Sequence, residues 1–202
     1  MEQKMVLKSK GVHILSICRA TSDLALELQK QIENVRFHRE ALKRKGLATP
    51  ELMHKLWVES RFWLGELERQ FKIREYVIEN ITTTEGRTVL ADVLAGVGTY
   101  TGAVSHTALG TSNTAPAVGD TQLGTETYRK ALTSGTKLAN VAYLETFFTA
   151  AEVSGTFEEY GNFIDGTGAA NSGQIFNRFT QTVIKSAVET LNVQSQVTFN
   201  DA

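Results

Sequence analysis

The chain of 202 residues holds a single cysteine, Cys18. One cysteine excludes an intrachain disulfide and is too little for a thiolate metal centre. Cys18 therefore reads as a small, partly buried thiol, consistent with folding in a reducing compartment. Proline is almost as scarce, with only Pro50 and Pro116. No apolar run reaches the roughly 18 residues of a membrane-spanning helix. The opening MEQKMVLKSKGVHILSICRA sets lysines before a short apolar run, but His13, Ser16 and Arg19 break the pattern of a secretion signal. The net charge is −1, which gives no bulk attraction to nucleic acid or to an anionic membrane.

Hydrophobic residues make up 42% of the chain, enough for a packed core. Charge is uneven: residues 1–79 carry 15 of the 21 Lys and Arg but 11 of the 22 Asp and Glu. Residues 1–75 read as helical. Leu24, Leu28, Ile32, Val35 and Leu42 form one helical stripe after a cap at Thr21 or Ser22. Lys43, Arg44 and Lys45 complement the negative end of that helix, and Gly46 stops it. Thr49-Pro50-Glu51 starts a second helix, with Leu52, Leu56, Trp63 and Leu67 on one stripe and Met53, Trp57, Leu64 and Phe71 beside it. The short connection predicts an antiparallel helical hairpin. Two amphipathic helices bury little surface alone, so Leu52, Leu56, Trp57, Trp63, Leu67 and Phe71 are expected to face a partner, in part another copy of the chain. The leader MEQKMVLKSKGV is expected to be an arm that orders against a neighbour.

Residues 76–82 (YVIENIT) predict a strand, and TTEGRTVLADVLAG a short helix capped by Thr83 or Thr84. Beyond Val104 charge falls and Thr, Val, Phe and Gly rise. Strands are expected over 104–109, 128–133, 138–150, 154–164, 174–184 and 190–200. In the last, Leu191, Val193, Val197 and Phe199 alternate with Asn192, Gln194, Gln196 and Thr198, the period of a half-buried antiparallel strand. Turn residues punctuate these runs, as in an antiparallel sandwich or barrel.

The Gly/Thr-rich segment ALGTSNTAPAVGDTQLGTE (108–126) invites a phosphate-loop reading. None of Gly110, Gly119 and Gly124 precedes a lysine, and the segment joins two expected strands with no helix start to receive a phosphate. Asp120 and Glu126 lack the ligand density of a calcium loop. Asn113 to Pro116 reads as turn chemistry. His13, His38, His54 and His106 lie in no metal or triad motif. Glu158 and Glu159 point to opposite faces of a strand and cannot form one acid/base pair; one of them pointing inward would be structural. The basic run Arg36, Arg39, Lys43, Arg44 and Lys45 is interleaved with Glu33 and Glu40, and reads as a solvated face or as salt bridges to a neighbouring copy. No catalytic, cofactor-binding or metal-binding residue is expected.

The runs ENITTTEGRTVLADVLAG and VSHTALGTSNTAPAVGDTQLGTETYRKAL resemble a module of tailed-bacteriophage structural proteins that pairs N-x-x-T-x-x-G-R with ALGTGTTAPAVxDTxLxxE-x-x-RK. VSGTFEEYGNFIDGTG and GQIFNRFTQTVIKSAVETLNVQSQVTF are similar to its later segments, in order, over about residues 79–200. Ser112 and Gln196 depart from the pattern, and residues 1–75 have no counterpart in it. The resemblance implies a non-enzymatic virion structural protein, in the tail as a fibre, collar or baseplate component, or on the head as a decoration protein. Other virion proteins (tail, neck or major capsid protein) and further copies of the chain, a trimer on the fibre analogy, would be its partners. Assembly would take place in the host bacterial cytoplasm. A receptor- or carbohydrate-binding module is a third reading, through loops carrying Thr111, Asn113, Pro116, Asp120, Asp165 and Asn171, with the host surface as partner. The expected architecture is α+β: a helical region over 1–75, then an antiparallel β-sandwich with one short helix over 76–202.

Overall fold

The computed structural model describes residues 8–19 and 22–200. It contains α1 (Asp23–Arg44), α2 (Pro50–Phe71) and α3 (Thr84–Ala95), and ten strands: β1 (Lys8–Arg19), β2 (Lys72–Glu79), β3 (Ile81–Thr82), β4 (Val104–Gly110), β5 (Glu126–Ala131), β6 (Ser134–Leu138), β7 (Val141–Phe148), β8 (Gly155–Ile164), β9 (Gln174–Lys185) and β10 (Glu189–Asn200). The strands form two antiparallel sheets, β2-β1-β10-β7-β6 and β3-β9-β8-β4-β5. The architecture is the expected α+β one, a helical hairpin with an antiparallel sandwich.

The order of its parts differs at the first element. Residues 8–19 form β1, which pairs with both β10 and β2, so that Leu15 lies opposite Val193 on one side and Tyr76 on the other. The boundary expected at residue 75 falls inside β2. The helical hairpin is an insertion between two paired strands, with Cys18 opposite Lys72 where the chain leaves and re-enters the sheet. The period-two pattern of β1 is masked in the sequence because both of its faces are covered. His13, Leu15 and Ile17 turn to the second sheet, while Cys18 packs under the helices. Of the expected arm, residues 1–7 lie outside the described residues, as does Thr21. Ser22 caps α1, its hydroxyl accepting from Ala25 N at 3.1 Å. The strand expected over 138–150 is β7, which starts only at Val141 after a turn at Ala139 (φ 50°) and Asn140; the residues before that turn form the unexpected β6, paired with it as a hairpin.

Leu15, Ile17, Leu191 and Val193 from the first sheet meet Leu109, Phe157, Tyr160, Phe179 and Val183 from the second. Each such side chain contributes about 1.5–3 kcal/mol on burial. At one end α3 closes the sandwich, Val89 packing with Val197, Ile164 and Phe176. Thr83 caps α3 by accepting from Gly86 N at 3.0 Å, and its hydroxyl donates to Ile175 O at 2.6 Å. A Cβ on Gly86 would lie 2.6 Å from Phe176 O, so only glycine lets the helix approach β9 this closely.

A hydrogen-bond chain crosses the core. Thr146 donates to Thr107 (2.7 Å), Thr107 to Asn162 (2.8 Å) and Asn162 to Ser195 (2.8 Å), and Ser195 Oγ shares a hydrogen bond with His13 Nδ1 (2.6 Å). His13 is fully buried and stacks on Phe179 at 3.7 Å, which stacks in turn on Tyr160 at 4.9 Å. Burial lowers the His13 pKa to about 3.

Two predictions follow from this arrangement. The unfolded chain binds a proton at His13 near pH 6.5 and the folded one does not until about pH 3, so stability falls as pH drops through that window. Denaturant titrations from pH 7 to 5 should show a greater loss for the wild type than for His13→Asn, with a differential slope of up to about 1.4 kcal/mol per pH unit. Removing residues 1–75 should abolish cooperative unfolding in circular dichroism, because it takes away a strand paired on both sides. A cooperative transition in that truncation would contradict the assigned topology.

Candidate functional site

The 108–126 segment is not the freely exposed crossing that its turn residues suggest. It runs from β4 across the second sheet to the start of α3, where Val118 O accepts from Thr84 N at 2.7 Å, and returns to β5. Leu123 holds it down in a cluster with Ala108, Phe163 and Ile175. Glu159, with no exposed surface, is its anchor. The carboxylate accepts from the backbone N–H groups of Ser112 (3.2 Å), Gly124 (2.8 Å) and Thr125 (2.6 Å). On the same carboxylate Arg178 donates from Nε at 3.1 Å and from Nη2 at 2.8 Å. Arg178 also reaches Asp120 (2.8 Å) and Thr114 O (3.0 Å). The segment is thus a strap fastened over a buried ion pair. Gly110 is required by that closeness, since a Cβ there would fall 2.5 Å from both Thr125 O and the Glu159 carboxylate.

A second loop, 165–173, is tied to the strap. Glu126 pairs with Arg129 at 2.7 Å, both side chains almost wholly buried, and accepts from Asn171 N at 3.2 Å. Arg129 lies 4.0 Å over the Phe163 ring and donates to Ser172 O at 2.5 Å. Gln122 donates to Asn171 O at 3.5 Å. Of the six loop residues expected to be exposed, Thr111, Asn113 and Asn171 are. Pro116 is half-buried, Asp120 is held by Arg178, and Asp165 accepts from Thr101 N and Oγ1 at 2.5 and 2.6 Å. Sequence spacing could not pair these residues, because strand order, not chain order, brings them together.

The helical hairpin lies against the first sheet. Ala25, Leu28, Ile32, Leu64 and Leu67 bury against Cys18 and Phe147, with Trp63 and Phe71 packed at the margin. This corrects the expected interface: Leu56 and Leu67 are buried within the chain, Trp63 and Phe71 belong to the same cluster, and Leu52 and Trp57 are half-buried. The buried stripe of α1 starts at Ala25, with Leu24 exposed. Two basic side chains also find partners inside the chain. Arg39 donates to Thr133 O, and Arg36 pairs with Glu33 at 3.4 Å. Lys130 gathers Glu33 (3.1 Å), Glu152 (2.7 Å) and Phe147 O (2.7 Å), tying α1 to the sandwich.

Beside this contact α2 and the first sheet diverge into a cleft of about 310 Å³. Its helical wall is His54, Trp57 and Arg61, which share one face at steps of three and four. Its floor is the cross-strand rung Gln196–Tyr143–Thr136 and the neighbouring pair Gln194–Glu145. Glu145 is 5% exposed and accepts from Arg61 (2.7 Å), Asn192 (3.1 Å) and Gln194 (3.1 Å). Burial raises its carboxyl pKa, and the Arg61 guanidinium opposes that shift. None of these cleft residues other than Trp57 was singled out for a site from the sequence. The polar set Gln194 and Gln196 is visible there as the alternation of the last strand; Glu145, to which Gln194 donates, and Arg61, which meets Glu145 from 84 positions earlier, are not.

Cys18 is buried and its thiol is pushed up to about 12, chiefly by burial. Among the described residues no group of three or more His, Cys, Asp or Glu is placed to hold a metal ion, and no helix is long and apolar enough to cross a membrane. Lys185 sits under three carbonyls, of Ala150, Val153 and Ser186, and burial lowers its pKa to about 8.

Truncating one member of the anchoring pair leaves the other charge buried and unpaired. Arg178→Ala should therefore cost about 3–5 kcal/mol in denaturant unfolding, and limited proteolysis should then cut within 111–125. A variant as stable and as resistant as the wild type would sink the strap assignment. No family model, curated protein or solved structure matches this chain.

Proposed function

We propose that this chain is a non-enzymatic structural component of a tailed-bacteriophage virion, in the tail as a collar, baseplate or fibre-like part. The supporting observation is where the residues of the phage-like motifs lie. Thr83 and Gly86 of the N-x-x-T-x-x-G-R start cap and seat α3. Gly110, Asp120, Glu126 and Arg129 of the second motif, with Glu159 and Arg178 of the later ones, fasten the strap and its neighbouring loop. Their charges are engaged with one another and with backbone groups. A signature composed of such residues describes a rigid module, not reacting groups awaiting a substrate.

Assembly in this reading uses the outward side of the helical hairpin. Phe37 (76% exposed) and Phe62 (58% exposed) on its two helices remain after the inner faces are satisfied. Large apolar side chains of this kind are the usual anchors of protein interfaces. Closed homo-oligomers, a trimer on the fibre analogy, and contact with other virion proteins follow from this proposal.

The decisive experiment is mass spectrometry of purified nuclease-resistant particles from the producing bacterium, with antibody labelling seen by electron microscopy. The chain should be present and labelled at the tail. Label on the capsid would favour a head decoration protein, and absence from particles would reject the virion reading. In light scattering the purified chain should be oligomeric, and the pair Phe37→Ser and Phe62→Ser should weaken association at least about tenfold.

A further inference from the structure

We propose that the cleft between α2 and the first sheet binds a neutral saccharide unit, an activity separate from assembly. Three features of the cleft carry this. The first is the combination of surfaces. Trp57 from the helical wall and Tyr143 from the floor, both half-buried, line the cleft, and His54 stacks on the Trp57 ring at 5.8 Å. Aromatic rings with a polar edge match the apolar C–H face of a sugar.

The second is bonding capacity on a fixed lattice. Neighbouring strands set side chains about 4.8 Å apart across the floor, and alternate residues about 6.8 Å apart along it. That is the scale of a pyranose ring and its hydroxyls. The rung Thr136–Tyr143–Gln196 offers two hydroxyls and an amide, and among the described residues these side chains bond to no other group. Amides and hydroxyls both donate and accept, as sugar hydroxyls require.

The third is charge. Arg61 and Glu145 meet at 2.7 Å inside the cleft, so that cation is already compensated, and Lys137, the other cation on the lining, alternates with Thr136 on β6 and turns to the opposite face. An anionic ligand would face the Glu145 carboxylate, and a cationic one would have to displace Arg61. A neutral ligand can hydrogen-bond to the outer edges of the pair while leaving it intact. The volume of about 310 Å³ is at the lower end for small-molecule sites and suits one or two sugar rings.

The test is binding by the full chain, followed by Trp fluorescence and amide NMR shifts, with glucose, galactose, N-acetylglucosamine, maltose and lactose as probes. Glucuronic and N-acetylneuraminic acids serve as anionic controls. At least one neutral probe should bind saturably, with a dissociation constant on the order of 1 mM. Shifts should centre on Trp57, Tyr143 and Gln196. Trp57→Ala should weaken binding at least about tenfold. Gln196→Ala, which removes no buried apolar group, should do so with an unchanged melting temperature. The inference is overturned if no neutral probe saturates below about 50 mM, if binding survives both variants, or if only the anionic sugars bind. Absence of the chain from virions would leave these outcomes unaffected.

Discussion

A carboxylate without access to water must be met by fixed partners, and Glu159 imposes that constraint on half of this molecule. Its position in the middle of β8 brings Arg178 from β9 and three backbone N–H groups from a segment far along the chain. Once Arg178 is held there, its remaining donors reach Asp120 and Thr114 and pull the strap across the sheet. The strap then delivers Val118 to the start of α3 and Leu123 to Phe163. One buried charge thereby couples two strands, a helix and the long connection that covers them. An apolar pair would hold the two strands, but it would not specify where the strap lies.

The same device recurs on the other sheet. Glu145 collects Arg61 from α2 and the amides of Asn192 and Gln194 from β10, and so fixes the height of the helix over the sheet. Apolar packing around Cys18 and Phe147 supplies the adhesion, while the charged contact supplies the register. Because the helices are inserted between two paired strands, their ends are closed by the sheet itself. The cleft is what remains where the helix leaves the sheet beyond that contact.

Local signals in the chain were sufficient for the three helices and for the last strand. The caps at Ser22, Thr49 and Thr83, and the alternation of residues 190–200, each depend on neighbours within a few positions. The same logic failed for residues 8–19, whose two faces are both covered, so that no polar alternation marks the strand. It failed again at 134–138, a strand whose Ser134-Gly135 reads as turn chemistry, while the actual turn at Ala139 and Asn140 has neither glycine nor proline. The inward turn of Glu159 could be anticipated from the parity of Glu158 and Glu159. Its partner could not, because pairing with Arg178 depends on strand register.

What the sequence by itself determined is the chemistry available and the local form of each piece: two amphipathic helices, a capped third helix, and a set of antiparallel strands. It also determined that glycine stands at 86 and 110, where backbones approach too closely for a side chain. Only the tertiary structure decided that the first strand lies in the heart of a sheet, that the helices are an insertion, and that Arg61 meets Glu145. The physical reason is sequence distance. Caps and periodicities act within a turn or a strand, whereas sheet order sets Lys8 opposite Asn200, 192 positions away, and Arg61 meets Glu145 across 84, and nothing in the local chain encodes which distant partner will arrive.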